Sequence, residues 1–303
     1  MNEGKTGTRC GFVALIGAPN AGKSTLLNAL VGAKVSIVSR KVQTTRNLVR
    51  GIALEGEAQV IFVDTPGLFA PKRRLDRAMV ASAWGGAMDA DAVALLVDAR
   101  KGLDEETRAI LAKLPEVRRP KFLILNKIDT VDTTRLLKLT QEVNEIHAFT
   151  DTFMISALRK HGVALLLTKL AAVMRPGPWL YPEDQISDAP LRALAAEITR
   201  EKLFERLHDE LPYQSTVETE SWKDQPDGSA RVEQTIFVMR EGHRKIVLGE
   251  GGKTIKSIGS AARKDIMEAA ETKVHHFLFE KVRENWADDP ERYRAMGLEY
   301  PRE

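Results

Sequence analysis

Cysteine is nearly missing from this chain of 303 residues: Cys10 stands alone. That excludes an intramolecular disulfide and a multi-cysteine metal cluster, and it fits the reducing cytosol. Long hydrophobic runs are missing as well. Every apolar stretch meets a charge, a glycine or a proline before it reaches the length of a membrane span. Met1–Cys10 carries Lys5 and Arg9 ahead of an apolar run at Phe12–Gly17, but that run is too short for the core of a secretory signal. It reads as a buried strand. Neither an internal repeat nor a low-complexity tract occurs, which leaves ordinary globular domains.

At about 150 residues per domain the length suggests two, each able to bury its own core. Hydrophobic residues make up 43% and charged residues 29%, an ordinary balance for a soluble globular protein. The net charge of +3 hides an asymmetry. Residues 1–175 hold about 26 Lys and Arg against about 17 Asp and Glu, and beyond them the balance reverses to about 19 against 25. Any nucleic-acid surface in the second half must be a local patch.

In the first half, short apolar runs alternate with amphipathic stretches. Strands are expected at Phe12–Ile16, Val49–Leu54, Gln59–Asp64, Ala92–Val97, Lys121–Asn126 and Thr152–Ile155. Helices are expected at Gly22–Val31, Leu75–Met88, Glu105–Leu114, Thr133–His147 and Val163–Met174. The fold class is α/β, a mostly parallel sheet covered on both faces. Little more than Glu55 and Gly56 joins the second and third strands, so that pair makes one antiparallel hairpin. Four prolines and Gly177 interrupt the pattern over Arg175–Pro190 and cannot continue helix or sheet. Residues 178–189 therefore read as a linker between a first domain at 1–177 and a second at 190–303. The second is α+β: helix Leu191–Glu210, strands Thr216–Trp222 and Ala230–Met239, two helices of which the latter is Lys253–Ala270, and strand Lys273–Val282.

Gly17-Ala18-Pro19-Asn20-Ala21-Gly22-Lys23-Ser24 fits G-x-x-x-x-G-K-[ST], leaving a strand and opening a helix. Backbone N–H groups at the helix start cradle phosphates. Lys23 brings charge to the β and γ phosphates, and the Ser24 hydroxyl ligates Mg²⁺. A chance glycine turn is the bland reading, and the strand-loop-helix context argues against it. Asp64-Thr65-Pro66-Gly67 ends the third strand, where a carboxylate holds Mg²⁺ through water and the Gly67 N–H reaches the γ-phosphate. Alone it would read as a turn. Asn126-Lys127-Ile128-Asp129 ends another apolar strand. Asp129 can accept from the N1–H and 2-amino group of guanine, donors that adenine lacks. Asn126 can tie this loop to the phosphate loop, and the Lys127 stem can lie along the base. Ser156-Ala157 follows the last strand and could offer the Ala157 N–H to the base oxygen. The loop Ser39-Arg40-Lys41-Val42-Gln43-Thr44-Thr45-Arg46 must supply one hydroxyl to Mg²⁺, from Thr44 or Thr45, and in isolation would be a solvated basic loop. The position after Gly67, where Ras-type GTPases carry a water-orienting glutamine, is Leu68, so slow hydrolysis is expected.

In the second half, Gly249-Glu250-Gly251-Gly252 is a G-x-x-G loop between two helices, which admits a nucleic-acid backbone to close approach. Ile246, Val247, Leu248, Ile255 and Ile258 frame it. Arg240, His243, Arg244, Lys245, Lys253, Lys256, Arg263 and Lys264 surround it, giving a phosphate-binding patch in an otherwise acidic half. Arg244, Lys245, Lys253 and Lys256 are the candidate RNA contacts beside the loop. A solvated turn between amphipathic helices is the alternative. His275 and His276 point to opposite faces of a strand and cannot share a metal. Trp179, Trp222 and Trp286 read as packing residues, and Asp288-Asp289 as a loop or helix cap.

The set GxPNxGKST (Gly17–Thr25), QTTR (Gln43–Arg46), DTPG (Asp64–Gly67) and NKxD (Asn126–Asp129) resembles the GTPase motifs of the Era family. The later helix-strand-strand-helix-helix-strand order resembles its carboxyl-terminal type II KH domain, so the resemblance spans nearly the whole chain. It implies a P-loop GTPase that binds GTP and GDP with Mg²⁺. It further implies a cytoplasmic switch that, when loaded with GTP, binds 16S rRNA near its 3′ end and assists assembly of the 30S subunit, acting as a monomer. Family members also associate peripherally with the inner membrane, for which basic clusters such as Lys72-Arg73-Arg74 are the only visible means. Asn20 matches the asparagine with which related GTPases hold K⁺ in place of an arginine finger. Two other readings compete. A GTPase of tRNA modification or membrane transport would show no RNA affinity at the G-x-x-G loop. A constitutive RNA-binding protein would bind RNA equally with GTP and GDP.

Overall fold

The computed structural model describes residues 7–39, 41 and 43–301. Lys5, Arg40 and Val42, named above, lie outside the described residues. The chain divides into two compact bodies. The first comprises the described residues of Met1–Ser36, Thr45–Asp188 and Met296–Glu303; the second comprises those of Ile37–Thr44 and Ala189–Ala295.

The first body is built on a seven-stranded sheet. Its elements run β1 (Arg9–Gly17), α1 (Lys23–Val31), β2 (Val49–Glu55), β3 (Ala58–Asp64), α2 (Arg74–Asp89), β4 (Ala92–Asp98), α3 (Glu105–Lys113), β5 (Lys121–Asn126), α4 (Thr133–Ile146), β6 (Asp151–Ile155), α5 (Val163–Ala172) and β7 (Arg175–Pro176). The order is β2-β3-β1-β4-β5-β6, parallel except for the β2–β3 hairpin. Alternation along β1 explains the two cores. Val13 and Leu15 face α1 and α5 through Leu26, Leu27, Val163 and Leu166, whereas Ala14 and Ile16 face α2, α3 and α4 through Ala83, Ile110 and Leu139. With helices on both faces, β3 and β4 are buried along their whole length, which is why they read as continuous apolar runs.

The proline-rich segment departs from a free linker. Arg175–Pro176 adds to β1 as β7, antiparallel, with Arg9 opposite Pro176. Proline is tolerated there because the strand is two residues long and lies at the sheet's margin. Further on, the fully buried Gln59 needs partners for its amide. It takes the N–H groups of Leu180 (2.9 Å) and Tyr181 (3.0 Å) and donates to the Tyr181 carbonyl (2.8 Å). Ser187 bridges to Gly51 of β2. Backbone hydrogen bonds thus hold a segment whose side chains advertise only turns.

The second body runs α6 (Leu191–Arg206), β8 (Ser215–Asp224), β9 (Ala230–Val238), α7 (Glu241–Leu248), α8 (Lys253–Ala270), β10 (Val274–Val282) and α9 (Pro290–Ala295). The sheet order is β10-β9-β8, with β9 antiparallel to β8 and parallel to β10. Leu203, Ile236, Val247 and Ile258 fill one core cluster; Ile198, Val232, Ala262 and Ile266 fill a second. Trp286 is buried and donates to the Gln214 carbonyl at 3.0 Å. Asp289 accepts the Glu291 N–H at 3.0 Å at the start of α9. Helix α6 also bonds Val38 and Thr44: Glu201 accepts the Val38 N–H at 2.7 Å, and Arg200 donates to the Thr44 carbonyl at 2.6 Å.

Candidate nucleotide and nucleic-acid sites

The carboxyl end of β1 opens into the Gly17–Ser24 loop, at the point where the sheet order turns back on either side of β1. Gly22 has φ 100°, and a Cβ there would stand 2.3 Å from the Asn126 amide nitrogen. Only glycine lets the two loops meet. Gly67 is confined in the same way, since a Cβ would lie 2.9 Å from Pro19. The Lys23 ammonium is buried and donates to the carbonyls of Gly17 (3.0 Å) and Ala18 (3.1 Å). Burial pushes its pKa down to about 8, and the Asp64 charge offsets only part of that. A phosphate would supply the missing countercharge.

Beside it, the Ser24 hydroxyl donates to Asp64 Oδ2 at 2.6 Å and lies 3.0 Å from the Thr45 hydroxyl. Ser36 donates to the same Asp64 oxygen at 2.9 Å. Asp64 is wholly buried; burial raises its pKa, and its Oδ1 has no hydrogen-bond partner. An orphaned carboxylate oxygen amid hydroxyls is the donor set a hard divalent cation takes, so Ser24, Thr45 and Asp64 fit Mg²⁺. The Thr44 hydroxyl donates to the Lys41 carbonyl at 2.9 Å. Thr65 is also taken, donating to the Leu15 carbonyl at 2.8 Å.

Asn126 joins three segments. Its Nδ2 donates to Ala21 O (2.9 Å), and its Oδ1 accepts the Ala157 N–H (3.0 Å). The Ala157 N–H thus satisfies the buried Asn126 amide oxygen, as Ala21 O satisfies its nitrogen. Lys127 holds a left-handed backbone, φ 66°, a strained state that persists where surroundings over-determine it. Its ammonium donates to Asn20 O (2.5 Å) and Asp98 Oδ2 (2.6 Å). Hydrogen bonding from Ser156 and then from Arg159 keeps the Asp129 carboxyl below its usual range, hence ionised.

In the second body the G-x-x-G loop lies between α7 and α8. Gly249, Gly251 and Gly252 all have positive φ, at 73°, 58° and 76°. A Cβ on Gly249 would meet the Thr254 hydroxyl at 2.2 Å, whereas Gly251 and Gly252 face open space. The N-terminus of α8 follows at Lys253. Val247 and Ile258 are buried as the spacing requires, but Ile246 is 57% exposed. The basic patch is less free than its sequence suggests. Arg244 is engaged by Glu241 (2.6 Å) and Glu280 (3.2 Å), Lys253 lies 3.8 Å from Glu250, and Arg240 donates to the buried His243. Lys245 and Lys256 are exposed. His276 bonds Gln234 at 2.8 Å within the fold, and no metal-binding group of His, Cys, Asp or Glu occurs among the described residues.

Comparison with known proteins decides what these sites belong to. Residues 12–127 match a family described as 50S ribosome-binding GTPase, and residues 210–287 match the KH domain family. The chain is 68% identical to GTPase Era of Afipia carboxidovorans, over 98% of this chain and 96% of that one. It is 64% identical to GTPase Era of Bradyrhizobium diazoefficiens, over 99% and 98%. The chain belongs to the Era family of GTPases. Its fold agrees with a single-residue variant of Aquifex aeolicus Era bound to GDP·AlF₄⁻, at a TM-score of 0.90 and 35% identity over 96% of this chain and 99% of that one. The same figures hold for Era in complex with MgGDPNP and nucleotides 1506–1542 of 16S ribosomal RNA.

Two residues at the nucleotide site of this Era-family chain escaped the motif reading. Ser36 lies in the loop after α1, where one serine among several gave no signal. Asp98 ends β4 as Asp64 ends β3, an acid closing a fully apolar strand, and that parallel was the available sign. The Lys72-Arg73-Arg74 cluster partly serves the start of α2: the N–H groups of Lys72 and Arg73 both donate to Asp76, and Arg74 stacks over Tyr300 at 5.0 Å. No helix among the described residues is long and apolar enough to cross a membrane.

Proposed function

We propose that this GTPase is a GTP-gated switch that binds 16S rRNA near its 3′ end and assists assembly of the 30S subunit. Nucleotide work is assigned to residues 1–177, RNA contact to 190–303, and residues 178–189 to the connection. The observation that carries the reading is one chain holding both a phosphate loop and an open G-x-x-G loop with exposed Lys245 and Lys256 beside it. The likeness to an Era–MgGDPNP–16S rRNA complex supports it.

In this scheme the Gly17–Thr25 loop cradles the phosphates and Lys23 neutralises the β and γ oxygens. Ser24, Thr45 and Asp64 would hold Mg²⁺, which would supply further charge neutralisation at the transferred phosphoryl group. Asp129 selects guanine, Asn126 fixes the base loop to the phosphate loop, and Gly67 offers its N–H to the γ-phosphate. Leu68 is 2% exposed and donates its N–H to Gly17 O at 3.0 Å. It orients no water, so intrinsic turnover is slow. K⁺ beside Asn20 would compensate; unchanged turnover on replacing Na⁺ with K⁺ removes that part. The chain acts as a cytoplasmic monomer, with peripheral attachment to the inner membrane through basic side chains.

The test is binding of a fluorescent single-stranded RNA from the 16S 3′ end to protein loaded with GDP or a non-hydrolysable GTP analogue, at one salt concentration. Tighter binding with the analogue, lost when Gly251 and Gly252 are replaced by Asp, is the expected result. Equal affinity in both states defeats the switch. No binding in either state defeats the RNA reading and favours a protein partner.

A further inference from the structure

Outside every recognised motif, Asp98 is a buried carboxylate that touches the base loop. It closes β4 with a side chain only 3% exposed. Its two oxygens divide their work. Oδ1 accepts locally from the Arg100 N–H (3.0 Å) and Nε (3.2 Å), a turn-closing arrangement. Oδ2 accepts from Arg100 Nη2 (2.9 Å) and, across 29 residues, from the Lys127 ammonium at 2.6 Å. Lys127 is 24% exposed, and its other partner is the Asn20 carbonyl of the phosphate loop. Although burial alone would raise it, hydrogen bonds from Arg100 and Lys127 hold the Asp98 carboxyl down to about 2, so it is ionised at any working pH.

We propose that Asp98 is a positioning residue of the guanine site, clamping the Lys127 side chain along the base plane and against the phosphate loop. This rests on the reading of Asn126–Asp129 as the base-binding loop. A lysine stem has four rotatable bonds and a head that water solvates well. Left unclamped, Lys127 would swing outward, and its left-handed backbone would lose one of the contacts that hold it. Asp98 and the Asn20 carbonyl both accept from the one ammonium, and Lys127 Cε comes within 3.9 Å of where a Cβ on Gly22 would stand, so the stem's far end is pinned beside the phosphate loop. Asp129 is held separately by Ser156 and Arg159. Asp98 therefore governs how tightly any purine of this class is covered, while Asp129 governs which purine is chosen.

The experiment follows dissociation of a fluorescent GDP analogue, and of the matching IDP analogue, from the full chain. Asp98→Asn should speed release about ten- to a hundredfold, the range for a hydrogen bond to a charged group. The factor should be the same for GDP and IDP. Lys127→Met, which keeps the stem and removes the ammonium, should reproduce it without touching the buried carboxylate. Adding Asp98→Asn to Lys127→Met should change release less than about twofold, because one clamp is lost only once. Multiplying effects in the double variant, or an unchanged rate in Asp98→Asn, overturns the proposal. Asp129→Asn separates the two readings. If it leaves GDP affinity intact, the base-loop reading itself fails; if it weakens GDP while Asp98→Asn does not, only the clamp fails.

Discussion

The two bodies use glycine, charge and burial in opposite ways. At the phosphate loop, glycine makes room for protein: Gly22 and Gly67 are confined by Asn126 and Pro19. At the G-x-x-G loop, Gly251 and Gly252 make room for something that is not protein, since nothing lies near their missing Cβ atoms. Lys23 is buried and depressed to about 8, whereas Lys245 and Lys256 are exposed. A buried site concentrates its energy in a few interlocked groups, and an exposed one spreads it over many screened contacts. Single substitutions should therefore be severe in the first body and graded in the second.

The largest effect expected is Lys23→Ala, which should weaken GTP at least about a hundredfold through loss of charge-assisted bonds to phosphate. A loss of only a few-fold, by titration with fluorescent GTP, would put the buried site on the same footing as the surface one. Next is Asn126→Ala. It unties Ala21 from Ala157 and should cost about 1–3 kcal/mol of stability as well as affinity. A thermal midpoint unchanged in the nucleotide-free protein would deny the interlocking. Lys23 also has a pH signature. Its folded pKa, about 8, lies below the unfolded value of 10.5. The unfolded chain therefore binds more protons between those values, and nucleotide-free stability rises with pH across that window. Phosphate restores the ammonium, so nucleotide binding takes up protons above about pH 8 and weakens as pH climbs. Calorimetry at about pH 8.5, just above that folded value, in two buffers of different ionisation heat should show the uptake, and Lys23→Arg should reduce it. Smallest is Lys245→Ala or Lys256→Ala: a few-fold loss of RNA affinity each, with the salt slope falling by about 0.7 per lysine. A hundredfold loss from either would mean the surface is a concentrated site after all.

The same contrast governs what the sequence could reveal. Phosphate-loop chemistry is contiguous, so Gly17–Thr25 announces itself, and the strand that precedes it was legible from its apolar run. Asn126 and Asp129 were legible because they end such a strand. Ser36 was not, because it is one polar residue brought in from another segment by tertiary folding alone; Asp98 carried the strand-end sign but no recognised motif around it. Thr44 and Thr45 could not be told apart from the sequence, since the two are chemically identical neighbours; in the structure the Thr45 hydroxyl lies 3.0 Å from Ser24 and the Thr44 hydroxyl bonds Lys41. Residues 175–187 misled for a different reason. Their prolines speak against regular structure, but Gln59 recruits their backbone carbonyls and N–H groups, which every residue type carries except for the proline N–H. Around the second loop, counting lysines and arginines overstated the free charge, because Glu241, Glu250 and Glu280 come back to Arg244 and Lys253.

The proposed switch makes one demand that does not depend on any single residue. If the GTP analogue tightens RNA relative to GDP, RNA must tighten the analogue relative to GDP by the same factor, because coupling between two binding equilibria is reciprocal. The measurement is the dissociation constant of a fluorescent GTP analogue and of GDP, each with and without saturating 16S 3′-end RNA, on the full chain with Mg²⁺ present. The account predicts that RNA tightens the analogue selectively, by the factor seen in the RNA titration. Nucleotide affinities indifferent to RNA, with RNA bound throughout, would contradict it and leave a GTPase and an RNA-binding domain that merely share a chain.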